Sequence, residues 1–518
     1  MRITNKVMQN NALTNINRNK ELQDKLNTEL ATGKRVDRPS DDPVVAIRAL
    51  RLRSDVNQVS QYYKKNVPDA KSWLELTESS IKTSVSVVKD MIEQCEKGSN
   101  DTLTTEDRKI IIDALKELRN EVYATGDADY AGRYIFTGYR TDTSLTFREN
   151  EKTNFNITEM FTGDDLEKIT YIEKGNLEDV SESNYMNGTA AVASENDVQS
   201  HSYYRFRASY DNLSQSAASF TNGTTTYTIT EETDPETAYK NAESGTGVVY
   251  FVKSTGEFVM SEDVYNEIKD AANQEDTRNF TVSYDKNDWK IGNLRPQHYF
   301  QCIQTTDKTG KTLEFVDSNG DTNPAPISYN MGDEPEYNQP IEYQVGFNQY
   351  IQVNTYANEI FQHDIGRDVD EIIDLANNLN DTELLKKKLD KMYKEVKDDE
   401  SKADEAKALK SDLDAADKAV TLLKDQLQKT FSKYITKMQD YLNATNEAVT
   451  TVGGRSKRLD LIENRLEDQT TTFKTLQSEN EDADATEVAV QLSSAKINYE
   501  AALMSTGQMI QKTLLNYL

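Results

Sequence analysis

Apolar side chains recur at three- and four-residue intervals near both ends of the chain, and this spacing predicts an amphipathic helix at each end. The C-terminal stripe reads Val488, Leu492, Ala495, Tyr499, Leu503, Ile510 (or Met509), Leu514 and Tyr517, and only Lys496 and Glu500 are charged between Val488 and Gln511. The N-terminal stripe reads Met8, Ala12, Ile16, Leu22, Leu26 and Leu30, on a segment with seven Asn between Asn5 and Asn27. Asn is a poor helix former, and ordering either segment costs more conformational entropy than burying one stripe returns. Both ends are therefore expected to fold only against a partner, with these residues at a subunit interface. The alternative is that the two termini pair with each other inside one monomer.

Longer stripes follow inward from each end. Asp42 before Pro43 predicts a capped helix start, because proline lacks an N–H that would be orphaned there anyway. Beyond it, Val56, Val59, Tyr63, Val67, Ala70, Leu74, Thr77, Ile81, Val85, Val88, Ile92 and Cys95 keep a heptad-like rhythm, with a kink expected at Pro68. Gly98 and Asn100 make a turn, and Ile111, Leu115, Leu118 and Val122 predict a shorter helix folding back. In the C-terminal half the rhythm runs from Leu413 through Val420, Leu427, Tyr434, Leu442 and Val452, and resumes beyond Gly453 and Gly454 with Leu459, Ile462, Leu466, Phe473 and Leu476. Such stripes need each other. Lys386 to Lys410, very rich in Lys, Asp and Glu, reads as a solvated helix or helical hairpin projecting from the bundle.

The middle of the chain changes period. Six of the nine prolines lie between Thr141 and Gly366, and none follows Pro340. Alternating patterns predict strands at Thr226–Thr230, Val248–Val252, Gly256–Met260, Phe280–Tyr284, Thr312–Val316, Ile341–Phe347 and Ile351–Thr355, with hairpin turns at Lys253–Gly256 and Asp285–Asp288 and a short helix over Ser261–Ala272. The expected fold class is a mainly α helical bundle or coiled coil formed by both flanks, with a large β-rich (α+β) domain inserted between them. The expected division is 1–42 plus 484–518 as terminal assembly helices, 43–140 plus 366–483 as bundle core, and 141–365 as a surface-exposed insertion of one or two subdomains.

A net charge of -28 argues against nucleic acid as a partner, since phosphate binding needs a basic face. The N-terminal forty residues run against this trend, with Arg2, Lys6, Arg18, Lys20, Lys25, Lys34, Arg35 and Arg38 facing Glu21, Asp24, Glu29 and Asp37. No run is long and apolar enough for membrane insertion, and Met1 to Asn11 lacks the core of a secretory signal, so any export from the cell is expected to take a route without a cleaved signal peptide. Cys95 and Cys302 are too few for a disulfide framework and both read as core.

Catalytic chemistry finds no set of residues. His201, His298 and His363 lack metal-ligand spacing. Gly310-Lys311-Thr312 resembles the end of a phosphate loop, but Thr305 stands where the earlier glycine belongs. Asp317, Asn319 and Asp321 resemble the opening of a calcium loop, yet Thr322 replaces its glycine and the closing glutamate is missing. Both read as turns. Trp289 and the many Tyr of the insertion fit core packing better than an adhesive or carbohydrate-binding surface. The chain is read as no enzyme, with no cofactor and no metal.

Specific residues carry a resemblance. Leu30 to Pro43, reading LATGKRVDRPSDDP, resembles the segment joining the first two helices in the flagellin family, with Gly33 ending one helix and Asp41, Asp42 and Pro43 starting the next. Ala131 to Thr143, reading AGRYIFTGYRTDT, together with Asp482-Ala483-Asp484 and the final LLNYL, is more similar to the family's junction members than to its filament subunits. The resemblance covers roughly 1–150 and 340–518 and departs in the larger middle and in the charged stretch. It implies an extracellular structural protein of the bacterial flagellum, exported through the type III apparatus and assembled as an adapter between hook and filament. The partners it implies are copies of itself, a neighbouring hook-associated protein, flagellin and a flagellar export chaperone.

Overall fold

The computed structural model describes residues 5–100, 103–181, 192–223, 225–272, 279–318, 321–329 and 339–515. The chain divides into two compact units. The first comprises Met1–Lys71, Tyr343–Ile351 and Lys457–Leu518, and the second Ser72–Glu342 and Gln352–Ser456. The N-terminal flank forms helices α1 (Asn5–Thr32), α2 (Pro43–Gln61), α3 (Val67–Gly98) and α4 (Thr105–Thr125). The insertion contains α5 (Pro235–Ser244) and α6 (Glu262–Ala272), and α7 (Ala357–Ile360) is a single turn. The C-terminal flank forms α8 (Asp364–Val396), α9 (Ala403–Glu481) and α10 (Ala485–Leu515). Helical flanks enclose a β-rich insertion, as the change of period predicts.

Two details of the long helices add to the sequence reading. Just before Pro68, where the sequence predicts a kink, the helix passes through a π-helical segment, Tyr62–Asn66, in which Val67 N–H donates to the Tyr62 carbonyl. The wide turn accommodates the proline and puts Tyr62, in place of Tyr63, into the buried face. At Gly453 and Gly454 the predicted break is absent, and α9 runs unbroken for 79 residues. Glycine in a helix interior costs about 1 kcal/mol relative to alanine but removes no hydrogen bond. The buried side chains Val452 and Leu459 hold the helix on either side.

In the second unit, Trp73, Leu74, Ile81, Val88, Ile92 and Cys95 of α3 turn inward, as do Ile111, Leu115 and Val122 of α4, Val369, Ile372 and Leu379 of α8, and Leu423, Phe431, Tyr434 and Met438 of α9. Glu383 of α8 pairs with Arg108 of α4 on one side and at 3.1 Å with Lys424 of α9 on the other. The two cysteines are buried, which pushes both thiols up to about 12. The charged stretch is a helical hairpin, the end of α8 and the start of α9, and it is less solvated than its composition suggests. Leu389, Val396 and Leu409 are buried with Leu177, Val180, Ala193 and Val198, and Asp412 Oδ1 accepts from the Ala193 N–H at 2.6 Å.

The insertion folds as two packed sheets. One has the order β4 (Glu167–Glu173), β5 (Gln199–Arg207), β10 (Glu257–Met260), β9 (Val249–Val252), β8 (Thr225–Glu232), β7 (Ser219–Asn222). The other has the order β15 (Ile327–Tyr329), β12 (Gln301–Gln304), β3 (Phe155–Thr162), β11 (Asn279–Lys286), β6 (Gln215–Ser216). Every pairing in them is antiparallel except β8 with β9. The shared core is aromatic, with Phe206 stacked on Phe258 at 4.7 Å and Phe161 against Phe206 at 4.8 Å. Trp289 is fully buried and stacks on Phe147 at 4.7 Å. The β9–β10 hairpin closes at Gly256, where φ is +65° and a Cβ would meet the Tyr210 carbonyl oxygen. Asp285–Asp288 forms no hairpin: β11 continues to Lys286, and Trp289 then bridges to Glu151. The Gly310 segment is a turn closed by a Thr306–Thr312 bridge, and Asp317 and Asp321 close the turn between β13 (Glu314–Val316) and β14 (Thr322–Pro324), with Asn319 outside the described residues.

The outer face of the first sheet carries charge into the interior. Arg205 contacts Glu257, Glu167 at 3.2 Å and Glu371 of α8 at 2.5 Å. Arg207 contacts Asp368 at 2.5 Å and Glu371 at 2.9 Å, and Lys433 and Lys437 of α9 reach Glu167 at 3.1 and 2.8 Å. Burial pushes the Glu371 carboxyl up, but the guanidinium groups of Arg205 and Arg207 outweigh it and hold the group at about 2. A carboxylate whose folded pKa lies below its unfolded value, about 4.3, stabilises the fold above that value and loses the contribution as pH falls through the folded one. Stability is therefore expected to drop from about pH 5 to about pH 2. Urea midpoints of Glu371→Gln should fall less steeply over this range than those of the parent chain.

Candidate assembly surface

The first unit is organised by a short crossing of two chain segments. Gly33 ends α1 with φ +67°, its N–H donating to the Glu29 carbonyl at 2.9 Å. Asp41 Oδ2 accepts from Arg38 N–H at 3.0 Å and tightens the loop that follows. Asp42 Oδ1 accepts from the Val44 and Val45 N–H groups, both at 3.1 Å, and Pro43 takes the first position of α2. On the opposite strand, Asp484 Oδ1 accepts from Thr486 N–H at 2.8 Å and Glu487 N–H at 3.2 Å and so starts α10.

The two turns are joined to each other. Arg35 N–H donates to the Glu481 carbonyl at 2.7 Å and Ala483 N–H to the Gly33 carbonyl at 3.0 Å, around an antiparallel Lys34–Asp482 bridge. Lys34 Nζ lies 2.5 Å from Asp482 and 3.5 Å from Glu481. Arg53 of α2 grips Glu481 with two bonds, Nε at 2.8 Å and Nη2 at 2.6 Å. That hydrogen bond, ahead of the opposing effect of burial, holds the Glu481 carboxyl below its ordinary value. Neither Arg53 nor Glu481 is legible as a pair in the sequence, because the periodicity of a stripe is silent about charges 428 positions apart. Glu481→Ala leaves Arg53 and Lys34 without this acceptor and should cost about 1–2 kcal/mol locally. Amide exchange at Arg35 and Ala483 should speed about 5- to 30-fold.

From this clasp α1 and α10 run antiparallel, and they meet only in part. Leu26, Val488, Leu492 and Ala495 are buried together, with Ala483 packed against them. Ala12, Ile16 and Tyr499 are half-buried. Met8, Leu22, Leu30 and Leu503 are exposed. Ile510 and Leu514 lie on α10, but their side chains are outside the described residues, as is Tyr517 altogether. The termini thus pair with each other near the clasp, as the alternative reading has it, while further stripe residues remain uncovered.

Other apolar side chains add to this surface. Val490, Ile497 (66 % exposed) and Met504 (70 %) open on α10, and Val7 and Leu13 on α1. On α2, Val44, Ile47 and Leu50 lie at three-residue spacing and are all exposed, Ile47 by 54 %. The sequence reading missed this α2 face, although its spacing was the available signal. Exposed apolar stripes of this kind mark interaction sites. Among the described residues no helix is long and apolar enough to cross a membrane, and no group of three potential metal ligands occurs.

Comparison with known proteins places these residues in context. Residues 3–141 match the bacterial flagellin N-terminal helical region. The chain is 32 % identical over 143 residues to flagellar hook-associated protein 3 of Salmonella typhimurium, covering 27 % of this chain and 45 % of that protein. It is 31 % identical over 122 residues to flagellin of Clostridium tyrobutyricum, covering 24 % and 32 %. The chain therefore spans less than half the length of these relatives. The crystal structure of flagellar hook-associated protein 3 from Legionella pneumophila is 10 % identical, with a TM-score of 0.29 over 83 % of this chain and 97 % of that one, a likeness that bears no weight on function. Residues 3–141 thus carry the bacterial flagellin N-terminal helical pattern, and over 143 residues the chain is similar to flagellar hook-associated protein 3.

Proposed function

We propose that the chain is a structural component of the bacterial flagellum, an adapter that joins hook to filament through helical polymer contacts of its terminal helices. The observation that carries this reading is the uncovered apolar surface of α1, α2 and α10, of which α1 and α2 lie within the residues that match the bacterial flagellin N-terminal helical region. In a helical polymer one face of a subunit meets a different face of the next, so several distinct apolar faces on one subunit are the expected equipment. On this reading residues 1–42 and 484–518 are the assembly helices, 43–140 and 366–483 the bundle core, and 141–365 the outward insertion. The partners are further copies of the chain, a neighbouring hook-associated protein and flagellin. An export chaperone covers α10 before assembly, which takes place outside the cell. The chain performs no reaction and needs no cofactor.

Gold-labelled antibodies against residues 141–365 on intact flagella test the adapter role. Label confined to the boundary of hook and filament is expected. The similarity to a filament flagellin favours one second reading, the filament subunit itself, and label spread along the whole filament would establish that reading and overturn the adapter.

A further inference from the structure

We infer that a cleft in the second unit binds a small oxyanion bearing carboxylate or phosphate oxygens. The cleft, of about 510 Å³, lies where α4, the start of α8, the loop after β5 and the segment following β11 meet. That volume suits a small molecule. Its lining is unusual for a chain of net charge -28, because Lys116, Arg119, Lys286, Lys290 and Arg367 all face it.

The acids that line the same cleft neutralise only some of these cations. Asp370 is taken by Arg119, and Asp288 lies 2.6 Å from Lys152. Asp211 is 3.6 Å from Lys286 and also offers it a carbonyl oxygen. This leaves Lys116, Lys290 and Arg367 facing Asp374. Lys116 and Lys290 are exposed and make no ion pair or side-chain hydrogen bond among the described residues. Arg367 donates from Nη2 to the Thr255 carbonyl, while its buried Nε–H has no acceptor among the described residues. Lys286 is 2 % exposed at the side chain, and burial holds both its pKa and that of Arg367 below their ordinary values, the mark of cations short of negative charge.

A guanidinium offers a fork that fits two oxygens of one anion, and the flexible ammonium groups of Lys116 and Lys290 can close on a third. The surrounding acidic surface disfavours an extended polyanion, so a small ion is the matching ligand.

Isothermal titration of the full chain with sodium phosphate and, separately, with sodium malonate, in chloride buffer of matched ionic strength, tests this. A saturable heat with at least one of them is expected. Saturation by phosphate alone assigns a phosphate, and saturation by malonate alone assigns a carboxylate. The rim variant Lys116→Ser with Lys290→Ser, both exposed positions, should bind about tenfold more weakly while its circular dichroism and melting are unchanged. No saturation beyond the chloride control, or equal affinity in the rim variant, overturns the site.

Discussion

Arg205→Met is expected to destabilise the second unit by about 3–5 kcal/mol, among the largest losses available from one substitution in this chain. The Arg205 side chain is 4 % exposed and stands among Glu257, Glu167 and Glu371. Methionine approximates its stem but supplies no charge, so the buried Glu257 loses its cation beside Glu167 and Glu371, which keep only Lys433, Lys437 and Arg207. Removing one partner of a buried ion pair costs far more than the pair contributes net, because the remaining charge stays desolvated. The urea midpoint of the second unit should fall accordingly. Adding Glu257→Gln to Arg205→Met should recover part of the loss, since it removes one of the stranded charges. A midpoint unchanged by Arg205→Met would mean that the carboxylates take up protons or water instead, and the network would then contribute little to joining the insertion to α8 and α9.

Deleting residues 485–518 is expected to abolish incorporation into flagella while leaving the second unit folded. The deletion removes Val488, Leu492 and Ala495, the partners of Leu26, together with the exposed Val490, Ile497, Leu503 and Met504. None of these side chains belongs to the aromatic core of the insertion or to the packed stripes of residues 72–456. Circular dichroism should lose only the helical signal of α10 and the part of α1 that rests on it, and the urea midpoint of the second unit should not move. Loss of the second unit's transition in the same variant would contradict the division of roles between the two units.

What the sequence discloses depends on how each element buries its surface. The long stripes of α3 and α9 are legible because a helix with one covered face repeats at 3.6 residues over many turns. Strands β8 to β11 are legible by alternation, whereas β3, β4 and β5 are not. Their covered positions include the buried Glu159 and Arg205 and the half-buried Glu167, held in ion pairs or hydrogen bonds, so polar residues stand where alternation expects apolar ones. Gly453 and Gly454 mislead because local helix breakers yield to packing along a long buried stripe. At the assembly surface the stripes of α1 and α10 can be read, and so can the capped turns at Gly33 and Asp42. Periodicity identifies an apolar face but not what covers it, so the partition between Leu26, turned inward, and Leu22 or Leu30, left outside, emerges only in three dimensions. The clasp through Arg53 and Glu481 is illegible for the same reason.

Amide hydrogen exchange along α1 and α10, compared between the dilute isolated chain and the same chain in assembled flagella, tests the central claim most directly. The account predicts graded protection in the isolated chain, slow near Leu26 and Val488 and fast toward residues 5–16 and 497–508, becoming slow along both helices on assembly. Uniformly slow exchange along both helices in the isolated chain, or no gain in protection on assembly, would contradict it.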